Sequence, residues 1–155
     1  MGDADEHVVL HPDRIALMSG RPVMVIPAGY VREARHERAA VAWDGSRAAG
    51  RALFDSLQLL EEDGEVTVLT IEGTDMPRPV GELIDHLGRH DIASRHEALP
   101  LSHGIARTIL SYAQQADPCL LVMGAYEHSK FREDFFGGVT ARVLKDIRIP
   151  VLLSH

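Results

Sequence analysis

Hydrophobic positions along the chain fall into short blocks separated by turn residues. Ala39-Ala40-Val41-Ala42-Trp43 is an apolar run stopped by Asp44-Gly45-Ser46, the pattern of a buried strand ending in a turn. Ser46 is placed to cap a helix in which Ala49, Leu53, Leu57 and Leu60 recur at helical spacing, closed by Glu61-Glu62-Asp63-Gly64. Val66, Val68, Leu69 and Ile71 predict a second buried strand. A loop from Gly73 to Pro79 leads into a weaker helix with Leu83, Ile84 and Leu87. Residues Ile92 to Leu99 alternate loosely and predict a third strand. Ser102 is the expected cap of the next helix, in which Ile105, Ile109, Tyr112, Ala113 and Ala116 share a face. Cys119-Leu120-Leu121-Val122-Met123 is a fully apolar strand ending at Gly124. After a polar loop, a helix runs from about Gly138 through Val139, Val143, Leu144 and Ile147, and Pro150-Val151-Leu152-Leu153-Ser154 is the last strand.

Strands therefore alternate with helices, which implies an α/β fold with a parallel sheet and right-handed crossovers. Near-continuous apolar strands imply helices on both faces. Ligands of such sheets bind beyond the carboxyl ends of the strands, where the strand order reverses. Asp44-Gly45 and Gly124-Ala125 are the strand ends that mark this place.

Residues 1–37 stand outside the series. His7 to Leu10 reads as the end of a strand, His11 to Ser19 as one or two helical turns, and Pro22 to Pro27 as a strand between prolines. Gly20-Arg21-Pro22-Val23-Met24-Val25-Ile26-Pro27 is similar to Arg148-Ile149-Pro150-Val151-Leu152-Leu153-Ser154, a weak internal repeat of helix end and Pro-Val strand. Val31 to Arg38, with charges of both signs, reads as a solvated linker.

Composition narrows the class. The 155 residues, 45% hydrophobic and 25% charged, are enough for one core without a metal or disulfide. Sixteen basic against 23 acidic residues leave a net charge of −7, which argues against non-specific nucleic-acid or anionic-membrane binding. No apolar run is long enough to span a membrane. The acidic start, Met1 to Glu6, is unlike a secretory signal, and the single Cys119 fits a reducing compartment. The expected location is cytoplasmic.

The block Val41-Ala42-Trp43-Asp44-Gly45-Ser46, the block Val122-Met123-Gly124-Ala125-Tyr126-Glu127-His128-Ser129 running to Phe136-Gly137-Gly138-Val139-Thr140, and the closing Ile149-Pro150-Val151-Leu152 together resemble the universal stress protein family. The resemblance covers about residues 38–155. It implies a five-stranded parallel sheet in the order 3-2-1-4-5, the adenine nucleotide alpha hydrolase-like arrangement, here with an extra N-terminal strand. Residues 1–37 resemble the last helix and strand of a preceding domain, as in tandem members of the family. The natural reading is a remnant plus linker over 1–37 and a universal stress domain over 38–155.

Nucleotide-binding members of that family carry a glycine signature after strand four: Gly, two residues, Gly, nine residues, Gly, then Ser or Thr. Glycines let backbone N–H groups approach phosphate oxygens at a helix start. Gly124 and Gly137 match the first and third glycines, while Glu127 and Gly138 depart from the second glycine and the hydroxyl residue. Two facing negative charges about 4 Å apart cost roughly 1–4 kcal/mol, enough to weaken a triphosphate at Glu127. Lys130 and Arg132 would offset this if they faced inward. Asp44 matches the family acid near the ribose or a metal-bound phosphate. The site implied by the resemblance is Asp44, Met123, Gly124, Gly137, Gly138, Val139 and Thr140, for ATP, ADP or AMP with magnesium.

Plainer readings stand beside this one. Asp44-Gly45-Ser46 is also a turn with a helix cap, Gly124 also an exit from a buried strand, and Gly137-Gly138 also a helix-start loop. His86 and His90, four apart on a helix, read as surface histidines, because Leu87 stands where the zinc-protease pattern has Glu. Trp43 packs at the strand end or walls an adenine pocket. No Gly-x-Ser-x-Gly elbow, dinucleotide fingerprint or Walker loop is present. Three functions remain: a nucleotide-binding regulator, an interaction module with a degraded site, and a slow ATPase with Asp44 or Glu127 as base. The resemblance implies a homodimer through Val151–Ser154, which is otherwise an exposed sheet edge. The Pro22–Pro27 strand offers a variation, pairing with that edge in its own chain or in a partner.

Overall fold

A computed structural model describes residues 11–31, 37–77, 79–125 and 138–155. In chain order its elements are α1 (Pro12–Ser19), β1 (Val23–Val25), β2 (Arg38–Ala42), α2 (Arg47–Leu57), β3 (Glu65–Ile71), α3 (Val80–Arg89), β4 (Ala93–Leu99), α4 (Ile105–Ala116), β5 (Leu120–Gly124), α5 (Gly138–Asp146) and β6 (Val151–Ser154). They form one sheet in the order β1-β6-β5-β2-β3-β4. Strands β2 to β6 pair in parallel and give the expected 3-2-1-4-5 order. The sixth strand, β1, joins antiparallel on the outer side of β6. The sheet is therefore mostly parallel, and the last strand is not its edge.

The two faces of the sheet carry two cores, set by the alternation of side chains along each strand. Ala39 and Val41 of β2 face Leu53 of α2 and Leu87 of α3. Ala40 faces the opposite side with Ile109 and Ala113 of α4, Val143 of α5 and Ala16 of α1. The alanines of the central strand keep both helix layers close. Burial of each side chain such as Leu53 or Val143, both fully covered, contributes about 1.5–3 kcal/mol.

The edges are blocked in different ways. On β4 the Arg95 guanidinium lies 2.9 Å from Glu65 and 2.9 Å from Glu97. Burial pulls the Arg95 pKa down, but Tyr112, Glu97 and Glu65 outweigh it and the net shift is upward, so this edge stays charged. On the other side β1 is only three residues long and lies between Pro22 and Pro27, and proline cannot extend a ladder.

Two helix boundaries differ from the pattern-based expectation. Helix α2 stops at Leu57, and Leu60 reaches the core from the turn that follows, its N–H donating to the Leu57 carbonyl at 3.4 Å. Helix α4 is capped by Gly104, at φ 98°, and not by Ser102. Ser102 instead donates its N–H to the Thr108 hydroxyl at 3.0 Å, so the helix side chain ties down the loop. The predicted strand end at His7 to Leu10, and residues 32–36 of the predicted linker, lie outside the described residues. Arg38, the end of that linker by sequence, is the first residue of β2.

Candidate functional site

Strands β2 and β5 are neighbours, with Ala42 opposite Met123. From β2 the chain crosses over α2 to β3, and from β5 over α5 to β6, which lies on the other side. Helix α2 packs on one face and α5 on the other. The carboxyl ends of β2 and β5 are thus the point where the winding reverses, and a crevice opens there in sheets of this kind.

The β2 side of the crevice is a built turn. Asp44 is exposed, and its Oδ1 accepts the Ser46 N–H at 2.9 Å. Ser46 Oγ accepts the Ala49 N–H at 3.0 Å, the helix cap expected from the sequence. Gly45 sits at φ 76°, and a Cβ there would come within 2.6 Å of the Pro77 ring, so no other residue fits. The turn-and-cap reading of Asp44 and Ser46 is therefore realised. It leaves the Asp44 carboxylate in solvent at the mouth of the crevice.

On the β5 side, Gly124 has a packing role that the sequence did not reveal. A Cβ on it would lie 2.7 Å from the Ala49 nitrogen and 2.9 Å from Ala48. The backbone of α2 fills that space, so Gly124 is where helix and strand touch. Met123 points the other way, buried with Ile109 and Val143 in the second core. Its side chain is core, and only its backbone borders the strand end. The β5 end is also held by the last residues of the chain. Ala125 N–H donates to the Ser154 carbonyl at 2.7 Å, and His155 Nδ1 is 2.8 Å from the Ala125 carbonyl. Arg51 of α2 donates to the His155 carbonyl at 2.5 Å, and buried Ser154 donates to Asp55 at 2.6 Å. These contacts span between 29 and 104 residues of sequence, so no local pattern announces them.

Gly138, Val139 and Thr140 form the first turn of α5, all half-buried, with Val139 packed against the second core. The helix starts at the predicted place. First-turn N–H groups have no partner within their own helix. Gly137, Glu127, Lys130 and Arg132 lie outside the described residues.

This donor set fits a nucleotide in part. The exposed Asp44 carboxylate can accept hydrogen bonds from sugar hydroxyls, and the α5 first turn with Thr140 can donate to anionic oxygens. On the side that a Cβ would take, Gly124 is filled by the backbone of α2. Among the described residues no group of three or more His, Cys, Asp and Glu converges as a metal site.

A depression of about 660 Å³ opens from the same turn on the α2–α3 side, lined by Trp43, Ser46, Arg47, Glu82, Leu83 and His86. Trp43 is half-buried there and donates its backbone N–H to Leu69 at 2.8 Å. It packs at the strand end, on the α2–α3 core. His86 stacks edge-on between Phe54, at 5.8 Å, and His90, at 4.7 Å between ring centres. The two histidines thus pack against each other on the helix. No helix among the described residues is long and apolar enough to cross a membrane.

The sequence profile of the universal stress protein family matches residues 36–155. Among solved structures, a universal stress protein from Archaeoglobus fulgidus superposes with a TM-score of 0.67 at 19% identity, over 87% of this chain and 50% of its own. The chain thus spans about half the length of that relative. A universal stress protein in complex with cAMP gives a TM-score of 0.59 at 16% identity, over 79% of this chain and 99% of its own. A universal stress protein family member from Arabidopsis thaliana with AMP bound gives 0.57 at 14% identity, over 76% and 90%. At these identities the likeness is one of fold. No curated protein matches the sequence.

Proposed function

The chain belongs to the universal stress protein family, and from that membership we propose that it is a regulator that binds an adenine nucleotide in the crevice between the ends of β2 and β5. The observation that carries this reading is the reversal of winding between these two strands, with an exposed Asp44 at its mouth and the first turn of α5 on its other side. Relatives of the same fold hold AMP and cAMP, which supports a monophosphate as the ligand. Asp44 would take the ribose hydroxyls, and Gly138, Val139 and Thr140 would face the phosphate. Occupancy would set the conformation that a partner reads, in the cytoplasm.

A second reading is favoured by one feature of the site. Gly124 and Ser46 both have structural duties that need no ligand. The domain would then be an interaction module, without nucleotide.

Nucleotide release and calorimetry separate the two. The purified protein is denatured and its released small molecules are identified. The ligand-free chain is then titrated with AMP, ADP, ATP and cAMP, with and without magnesium. Saturable binding of AMP or cAMP, weakened by Asp44→Asn, is the expected result. Absence of binding for all four nucleotides overturns the regulator reading and leaves the interaction module.

A further inference from the structure

Helix α3 carries two histidines that the crevice does not use. His86 and His90 are four residues apart, so they stand one turn apart on the same side of the helix. Their ring centres are 4.7 Å apart, with 60° between the planes. His86 is half-buried and His90 is exposed. Neither imidazole makes a hydrogen bond or ion pair among the described residues. Phe54 meets the His86 ring edge-on at 5.8 Å and restrains it from the α2 side. Leu87, between the two histidines in sequence, is fully buried and anchors this turn of α3 to the core.

The separation of the rings is the one a shared metal ion requires. Imidazole nitrogen binds a late transition metal at about 2.0–2.1 Å, which puts the ion about 3.2 Å from the ring centre. Two ring centres then lie about 4.5 Å apart at a right angle around the ion, and about 5.2 Å apart at a tetrahedral angle. The observed 4.7 Å falls within this range, nearer its right-angled end. Rotation about the χ2 bonds, whose torsion is broad in histidine, is enough to turn a nitrogen of each ring toward the ion. Square-planar and tetragonal nitrogen sites are those of Cu(II) and Ni(II), and copper is the more tightly held of the two.

The place in the fold favours a cation. His86 is in the last turn of α3 and His90 is its C-cap, where the helix carbonyls carry partial negative charge. Glu82 and Asp85 line the depression beside His86, together with the cations Arg47 and Arg89. The net charge of −7 draws cations to the chain as a whole. Leu87 in place of the zinc-protease glutamate removes a general base and leaves the spacing of the ligands intact.

We infer that His86 and His90 chelate one Cu(II) ion at the C-terminal end of α3. Two side chains hold the ion and water fills its other positions, so the site takes up and releases copper and performs no reaction. This inference does not depend on whether a nucleotide binds.

The test uses the full chain, titrated with Cu(II) in the presence of glycine as a weak competing chelator. Trp43, the only tryptophan, lines the depression with His86, so an ion bound there quenches its fluorescence. Wild type should show a saturable quench by one ion per chain, and pulsed electron paramagnetic resonance should detect two imidazoles on the copper. His86→Ala and His90→Ala should each weaken binding about tenfold or more, since a chelate becomes a single ligand, and should each leave one imidazole signal. His103→Ala, at an exposed histidine of another loop, should change neither readout. Melting without copper checks that the variants fold, and the exposed His90 side chain contributes little to stability. The inference is overturned if folded His90→Ala binds copper as tightly as wild type, if His103→Ala weakens binding equally, or if the wild-type ion carries fewer than two imidazoles.

Discussion

Gly124 and Ala49 are in backbone contact: a methyl group on Gly124 would come within 2.7 Å of the Ala49 nitrogen. Neither partner can move cheaply, because Ala49 is also the residue whose N–H is capped by Ser46. Gly124→Ala is therefore expected to destabilise the fold by about 1–3 kcal/mol, as overpacking does elsewhere. Urea unfolding of the ligand-free protein measures this. Loss of nucleotide binding in a Gly124 variant would then reflect a displaced α2 and would say little about phosphate contact. An unchanged midpoint would return Gly124 to the role of a ligand-facing glycine.

Asp44 is the better probe of the crevice. Asparagine retains the oxygen that accepts the Ser46 N–H and removes only the charge. Asp44→Asn should hold stability within about 0.5 kcal/mol, as for other exposed positions. If the carboxylate takes the ribose, AMP affinity falls about tenfold, equivalent to about 1.4 kcal/mol. Thermal melting and calorimetry on one preparation separate the two effects. Equal affinity for both proteins would remove Asp44 from the site.

Much of the fold was legible because the central strands are covered on both faces. Residues 39–42 of β2 and the whole of β5 stand out as apolar runs, β3 is broken only by threonines after Glu65, and their alternation with amphipathic helices dictates the parallel sheet. The place of the crevice followed from the same reading. What stayed hidden involves contacts distant in sequence. The close approach of Gly124 to α2 is invisible in a strand pattern, and so is the clamp of His155 on Ala125. Met123 looked like a site residue from its motif. Strand alternation places it with Leu121 in the second core instead. Ser102 resembled a helix cap because its type is right. The positive φ of Gly104 and the Thr108 hydroxyl decided the true start.

Ser46 joins the crevice to the stability of α2. Its hydroxyl accepts the Ala49 N–H at the start of that helix, and no acidic residue lies in the first turn to help. Ser46→Ala should cost about 0.5–2 kcal/mol, while Ser46→Asp should keep the cap and add a favourable charge at the helix N-terminus. Chemical denaturation of both variants gives the comparison. Equal stability for all three proteins would mean that packing of Ala52 and Leu53 alone holds the helix.

Tyr30 follows β1 and packs its ring against the second core, with its hydroxyl buried and unpaired among the described residues. A buried hydroxyl without a partner loses its hydration and gains nothing in return, a cost of about 1–3 kcal/mol. Tyr30→Phe removes the polar atom and keeps the ring. Stability should rise by up to about 1 kcal/mol, since part of the cost is recovered in the unfolded chain as well. Because Tyr30 lies at the end of the α1–β1 unit, the gain should also tighten that unit on β6. Hydrogen exchange at residues 23–25 should slow in the variant along with the rise in unfolding midpoint. A fall in stability would show that the hydroxyl has a partner after all, and the unit would then be anchored by a polar contact as well as by its apolar face.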